Sequence, residues 1–218
     1  MGQLLLVRHG QASFGSADYD ALSPLGFEQS RMLGDALAQR GVTADAVVHG
    51  TMRRHRETAE TCAAAAGWTV GATLDAGWDE FDFLSVLAVH PHDFGPEPTK
   101  AEFQKLFEAA TAAWIEGAER DYAETFAAFS ARVHDALQRV VDLAEQGTVA
   151  VFTSGGPIGW AVAEVLVEGG SSDLWTRLNR MAVNSALTRL VTGSRGINLL
   201  TYNDQSHLDG VAGAVTYR

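Results

Sequence analysis

Leu4-Leu5-Leu6-Val7 is a short apolar run that ends in Arg8-His9-Gly10. The run reads as a buried strand, and open α/β sheets bind their ligands at strand ends. An arginine beside a histidine suits a phosphoryl group, because the guanidinium grips two oxygens and a neutral imidazole can attack phosphorus. Two more apolar runs end in a similar way: Ala46–His49 before Gly50-Thr51, and Thr148–Thr153 before Ser154-Gly155-Gly156. Neighbouring parallel strands would bring all three ends to one sheet edge. There glycines permit close backbone approach, and the helices that follow offer N–H groups to an anion. The Gly-x-x-x-x-Gly-Lys-Ser/Thr phosphate loop is not present in the chain.

The intervening segments must be helices if these strands are parallel. Ser23 reads as an N-cap with Pro24 in the first turn; Leu25, Met32, Leu33 and Leu37 form the stripe, and Gly41 is the stop. A second helix is expected from about Thr51 to Ala66. A third runs over Glu124–Gln146, where Phe126, Phe129, Val133, Leu137, Val140 and Ala144 recur every three or four residues, and Gly147 ends it. Another follows Ser154 to about Val167, and two last strands cover Ser185–Val191 and Ile197–Tyr202 around Gly193–Gly196. Alternating strands and helices imply an α/β three-layer sandwich, a mainly parallel central sheet with helices on both faces. Residues 1–218 read as one domain with an insertion at about 81–122 that covers the site. Gly95, Pro91, Pro96 and Pro98 interrupt this insertion, while Phe103, Leu106, Phe107 and Trp114 line a helix. Its aromatic residues are the expected contacts for an apolar or ring-bearing part of a substrate.

With 46% hydrophobic and 20% charged residues, the composition is that of an ordinary globular protein. A net charge of −11 argues against a nucleic-acid surface, which needs a basic face. The same charge requires any anionic substrate to be held by local cations, and arginines cluster once, at Arg53, Arg54 and Arg56 around His55. A solvated helix face is the plain alternative for that cluster. No apolar run is long enough for a membrane span, no signal-peptide pattern is present, and the single Cys62 suits a reducing cytoplasm. Leu174, Trp175 and Leu178 suit a homo-oligomer interface as well as a core.

Taken in order, the motifs resemble those of the histidine phosphatase superfamily, which includes the phosphoglycerate mutases. Arg8-His9-Gly10-Gln11 is similar to its Arg-His-Gly signature, and Leu22-Ser23-Pro24-Leu25-Gly26 with Gln29 to its Leu-Thr-x-x-Gly-x-x-Gln segment. Met52–Ala59 resembles its Leu-x-Arg-Ala-x-Gln-Thr-Ala helix, Trp78–Asp82 its Leu-x-Glu segment, and Val151–Ile158 its Val-x-Ser-His-Gly-Gly strand end. The likeness runs from residue 4 to about 190. It implies a phosphoglycerate mutase-like fold and a phosphomonoesterase that works without cofactor or metal on a small phosphorylated substrate. In that scheme His9 is the nucleophile, forming phosphohistidine. Arg8, Arg54, Ser154 and Gly155 form the phosphate pocket, and Glu80 is the proton donor. Arg53 competes with Arg54 for its role, and Asp79 and Asp82 compete with Glu80. His90 and His92 beside Pro91 are a weak metal candidate; His49, His134 and His207, with Asn184, are expected to be structural.

The chain departs from the family pattern in two places. Ser154 stands where the family has a second histidine, so a full charge is replaced by a hydroxyl, and loss of one such donor is worth on the order of 10²–10³ in rate. His55 is the candidate to lean into the pocket in its place, and restoring a histidine at 154 is expected to raise turnover. Gly15 stands where many members carry an asparagine, with Ser13 as a substitute hydroxyl. The alternatives to a phosphatase of reduced activity are a degenerate phospho-ligand binder and a phosphoglycerate mutase-type phosphotransferase.

Overall fold

The computed structural model describes residues 1–13, 20–91, 99–145 and 147–217. Gly15, His92, Gly95, Pro96, Pro98 and Gln146 therefore lie outside the described residues. The chain forms two compact units, one of Met1–Glu80 with Val133–Arg218 and one of Phe81–Arg132.

The first unit holds a six-stranded sheet in the order β3-β2-β4-β1-β5-β6. Its strands are β1 (Gly2–Arg8), β2 (Ala46–His49), β3 (Ala72–Leu74), β4 (Thr148–Thr153), β5 (Leu187–Gly193) and β6 (Gly196–Asp204). The β1–β4, β4–β2 and β2–β3 pairs are parallel; β5 and β6 add an antiparallel margin. In the register Arg8 lies opposite Thr153, and Phe152 opposite His49, so β1, β4 and β2 finish side by side. The next residues, His9, Ser154 and Gly50, are thereby delivered to one edge. Parallel strands linked by crossovers must all end on the same side.

Alternation along the strands divides the core between two faces. Leu5, Val7, Val47, Ala150 and Phe152 pack with Leu33 and Leu37 of α1 (Pro24–Gln39) and with Ala59 and Cys62 of α2 (Arg53–Ala66). Leu4, Leu6, Val149 and Val151 point the other way and are equally buried. α5 (Phe126–Leu143) and α6 (Gly155–Leu166) are joined by His134 Nδ1 and Glu164 Oε1 at 3.3 Å. Ser23 caps α1 by accepting from the Gly26 N–H. The buried stripe of α1 is Gly26, Gln29, Ser30, Leu33, Gly34 and Leu37, while Leu25 and Met32 are only half-buried. Small residues on that stripe let α2 lie close, which an apolar count alone does not anticipate.

β3 is fully exposed and carries no burial pattern to read, and α7 (Ser172–Arg180) buries only Trp175. The Trp175 indole N–H donates to the Gly156 carbonyl at 2.9 Å, so this ring belongs to the core of its own chain. α5 ends at Leu143, short of the expected Gln146. Burial pushes the Cys62 thiol up to about 12, leaving it a packing group.

The second unit contains α3 (Phe83–Ala88), capped by Asp82, and α4 (Lys100–Ile115), opened by a Thr99–Glu102 capping box. Phe81 stacks on Trp114 at 4.8 Å, and Phe126 meets Trp114 edge-on at 5.1 Å. Phe81 and Trp114 are buried, so these two rings serve a local core rather than an open substrate surface. No helix among the described residues is long and apolar enough to cross a membrane.

Candidate active site

His9 sits one residue past β1 and is 7% exposed. Its Nδ1 is 2.7 Å from the Gly10 carbonyl, so Nδ1 carries the proton and Nε2 keeps its lone pair for an electrophile. The His9 backbone is clamped as well. Its N–H donates to Thr153 O, and its carbonyl accepts from Ser185 N and from Asn184 Nδ2. Burial, then the guanidiniums of Arg54 and Arg8 and the ring of His55, hold the His9 pKa well below the ordinary imidazole range. The ring is thus neutral at physiological pH.

Arg8 and Arg54 approach His9 from different elements. Arg8 is anchored through Nη1 to the carbonyls of Ala182 and Tyr217, the latter at 2.7 Å. Arg54, in the first turn of α2, is 8% exposed and pairs through Nη1 with Asp20 Oδ1 at 2.6 Å. Arg53 instead pairs with Glu57 at 2.6 Å, with half of its side chain in solvent. Of the two neighbours, Arg54 is the buried one whose charge reaches His9. Asp20 was not anticipated from the sequence: nothing in Tyr19-Asp20-Ala21 marks it, and only folding brings it to Arg54 and to the Arg53 N–H.

Within the acidic cluster the three carboxylates have separate tasks. Asp79 accepts from Thr51 N and from Thr51 Oγ1, both at 2.6 Å, and Asp82 caps α3. Glu80 accepts from the Gly156 N–H at 3.1 Å, at the start of α6. A Cβ on residue 156 would lie 2.0 Å from Glu80 Oε1, so the glycine makes the space this carboxylate occupies. Gly155 is likewise tight, a Cβ there falling 2.7 Å from Asn179 Oδ1, with Arg8 Nε at ordinary contact distance.

Ser154 is fully buried at the end of β4. Its hydroxyl lies 2.7 Å from His55 Nε2, and the His55 ring stands 5.7 Å from that of His9. His55 therefore packs between Ser154 and the His9 ring. The expectation that a histidine at 154 would simply add a charge does not fit this packing, because the space before Ser154 is already filled by His55. Supporting groups hold the loops in place: Gln29 accepts from Gln11 N and donates to Ala214 O, and Thr58 Oγ1 accepts from Gly10 N. Glu57 accepts from Leu22 N. His207 bonds Ser185 at 2.8 Å with its pKa lowered to about 4 by burial, and Asn184 holds Thr216, so both are structural. His49 repeats the His9 pattern, its Nδ1 2.7 Å from the Gly50 carbonyl.

Residues brought together are thus Arg8, His9, Arg54, His55, Glu80, Ser154 and Gly155: a buried imidazole within the electrostatic reach of two guanidiniums, and a carboxylate at a helix N-terminus. Among the described residues no group of three or more His, Cys, Asp and Glu side chains is placed to hold a metal.

Comparison with solved structures finds this fold repeatedly. A phosphoserine phosphatase mutant from Entamoeba histolytica, in complex with phosphoserine, superposes with a TM-score of 0.71 at 17% identity, over 95% of this chain and 100% of the other. The alpha-ribazole phosphatase from Shigella flexneri gives 0.68 at 18%, covering 93% and 96%. A mycobacterial glucosyl-3-phosphoglycerate phosphatase gives 0.65 at 22%, covering 93% and 99%. Comparison with curated protein sequences returned no match. The family model of the histidine phosphatase superfamily (branch 1) matches residues 4–205, nearly the whole chain, and this chain belongs to that family.

Proposed function

We propose that the protein is a phosphomonoester hydrolase that works through phosphohistidine at His9. The observation that carries this reading is the Nδ1–Gly10 carbonyl bond of a buried, neutral His9 between two arginines. In the first step His9 Nε2 attacks phosphorus, and the bond to the leaving oxygen breaks with its electron pair. That oxygen takes the proton of Glu80. In the second step the Glu80 carboxylate removes a proton from water, the resulting hydroxide attacks phosphorus, and the P–N pair returns to Nε2. Arg8 and Arg54 hold the non-bridging oxygens throughout, and Arg54 exchanges Asp20 for the anion as substrate enters.

The phosphatases among the structural neighbours support this class of reaction. Ser154 and the engagement of Arg54 by Asp20 favour a second reading, a phospho-ligand binder with little turnover. Release of inorganic phosphate from a panel of phosphomonoesters, by wild type and His9→Ala, separates the two. The hydrolase reading expects turnover that His9→Ala abolishes and a phosphoenzyme that is acid-labile and base-stable. Equal rates in the two proteins would defeat it.

A further inference from the structure

His55 has no part in the scheme above, yet it is fully buried against it. Its place is made by a glycine: a Cβ on Gly50 would lie 2.3 Å from His55 Nδ1. Nε2 meets the Ser154 hydroxyl at 2.7 Å, while Nδ1 makes no hydrogen bond among the described residues and faces Asp79 Oδ1 at 3.9 Å. This buried imidazole has one nitrogen on a hydroxyl and a carboxylate on the side where a second proton would sit.

We propose, building on the phosphatase reading, that His55 is a positioning residue that takes up a proton as the phosphoryl group enters and acts on that group through the Ser154 hydroxyl. The charges around it set when this happens. His9 faces it from β1, His49 from β2, Arg54 from its own helix and Asp79 from the segment after β3. In the empty site burial, then Arg54, then His49, hold its pKa well below the ordinary range, and the ring is neutral. A phosphoryl dianion between Arg8 and Arg54 offsets the cations that oppose protonation.

The imidazolium then donates from both nitrogens, toward Asp79 and to Ser154 Oγ. Ser154 keeps its own O–H for a non-bridging oxygen. A neutral ring can donate on one side only. The proton comes from solvent on binding and returns to it when phosphate leaves, so no net proton is consumed by this device. The arrangement places a histidine charge behind a hydroxyl, reaching the pocket from α2 rather than from the end of β4.

The test joins kinetics to calorimetry on the intact protein. Titration with inorganic phosphate in two buffers of different ionisation enthalpy counts the protons taken up, and His55→Gln should take up fewer than wild type. The same variant should lose on the order of 10²-fold in kcat, the scale of one preorganised donor, with KM little changed. Ser154→Ala should lose a similar factor, and the double variant no more than either single one, because the two act as a unit. His55→Ala is made alongside, since alanine needs less room than the ring, and thermal unfolding checks that each variant is folded. Wild-type kcat and proton count in folded His55→Gln or His55→Ala would overturn the proposal, as would losses that multiply in the double variant. A wild type that releases no phosphate and forms no phosphoenzyme would refute the hydrolase reading instead, and the proton count on phosphate binding would still decide the role of His55.

Discussion

Gly156→Ala is a small change with a large expected consequence. The added methyl would sit 2.0 Å from Glu80 Oε1 and 3.0 Å from its Cδ, whereas a tolerable carbon–oxygen contact is about 3.3 Å. The carboxylate must therefore move by roughly 1 Å or more, a displacement that costs on the order of 10²-fold when the group is catalytic. Expressed as a barrier, that is about 2.7 kcal/mol. The helix itself gains from the same substitution, because alanine is better than glycine in a helix by about 0.5–1 kcal/mol, and residue 156 is not among the positive-φ positions. Activity and stability should consequently part company: phosphate release falls about a hundredfold while the melting temperature holds. Leaving-group dependence sharpens the assay. An alkyl phosphate needs a proton on its departing oxygen, and an aryl phosphate with an acidic phenol does not, so the loss should be large for the first and small for the second. Equal losses on both substrates, or full activity on the alkyl ester, would refute the assignment of Glu80 as proton donor.

Asp20→Ala removes the carboxylate that pairs with Arg54. The Asp20 side chain is 41% exposed, so the pair is worth at most about 1 kcal/mol and inorganic phosphate should inhibit up to about fivefold more tightly; unchanged or weaker inhibition would contradict the exchange of Asp20 for substrate. The acid limb of kcat/KM should lie below the ordinary imidazole range, because His9 must be neutral to attack and its pKa is lowered; a limb above pH 7 would contradict it. Histidines 9, 55 and 207 are all lowered, so the unfolded chain binds more protons than the folded one below about pH 6.5, and stability should fall as pH drops through that range. His207, whose pKa is near 4, makes the window between about 4 and 6.5 testable: His207→Gln should flatten the slope of urea-unfolding free energy against pH there. Ser154→His alone should lower the melting temperature by overpacking a fully buried site, by about 1–3 kcal/mol in stability; the paired exchange with His55→Ala should recover it, and a single variant as stable as wild type would show the space to be larger than the packing implies.

Much of the architecture was legible because it follows from local rules. Strand β4 is bounded as its apolar run suggests, α1 starts at the Ser23-Pro24 signal, and β1, β2 and β4 each end at the polar group that marks them. What escaped was whatever lacks a burial pattern: β3, with every residue exposed, and α7, anchored by Trp175 alone. The site divides in the same way. Arg8, His9 and Ser154 are carried by strand ends, so the one-dimensional pattern locates them. Asp20 on Arg54 and His55 on Ser154 depend on contacts 34 and 99 residues apart, which no local spacing encodes.

The order of residues along the chain was sufficient to mark strand ends that carry a guanidinium and an imidazole (Arg8 and His9) and a hydroxyl (Ser154), which parallel pairing of neighbouring strands brings to one edge. Which carboxylate of residues 79–82 meets the start of α6, and which histidine fills the space before Ser154, were decided only in three dimensions. There the missing side chains of Gly156 and Gly50 leave room that Glu80 and His55 occupy. Exclusion of volume between segments distant in sequence is a tertiary property, and these two contacts depend on it.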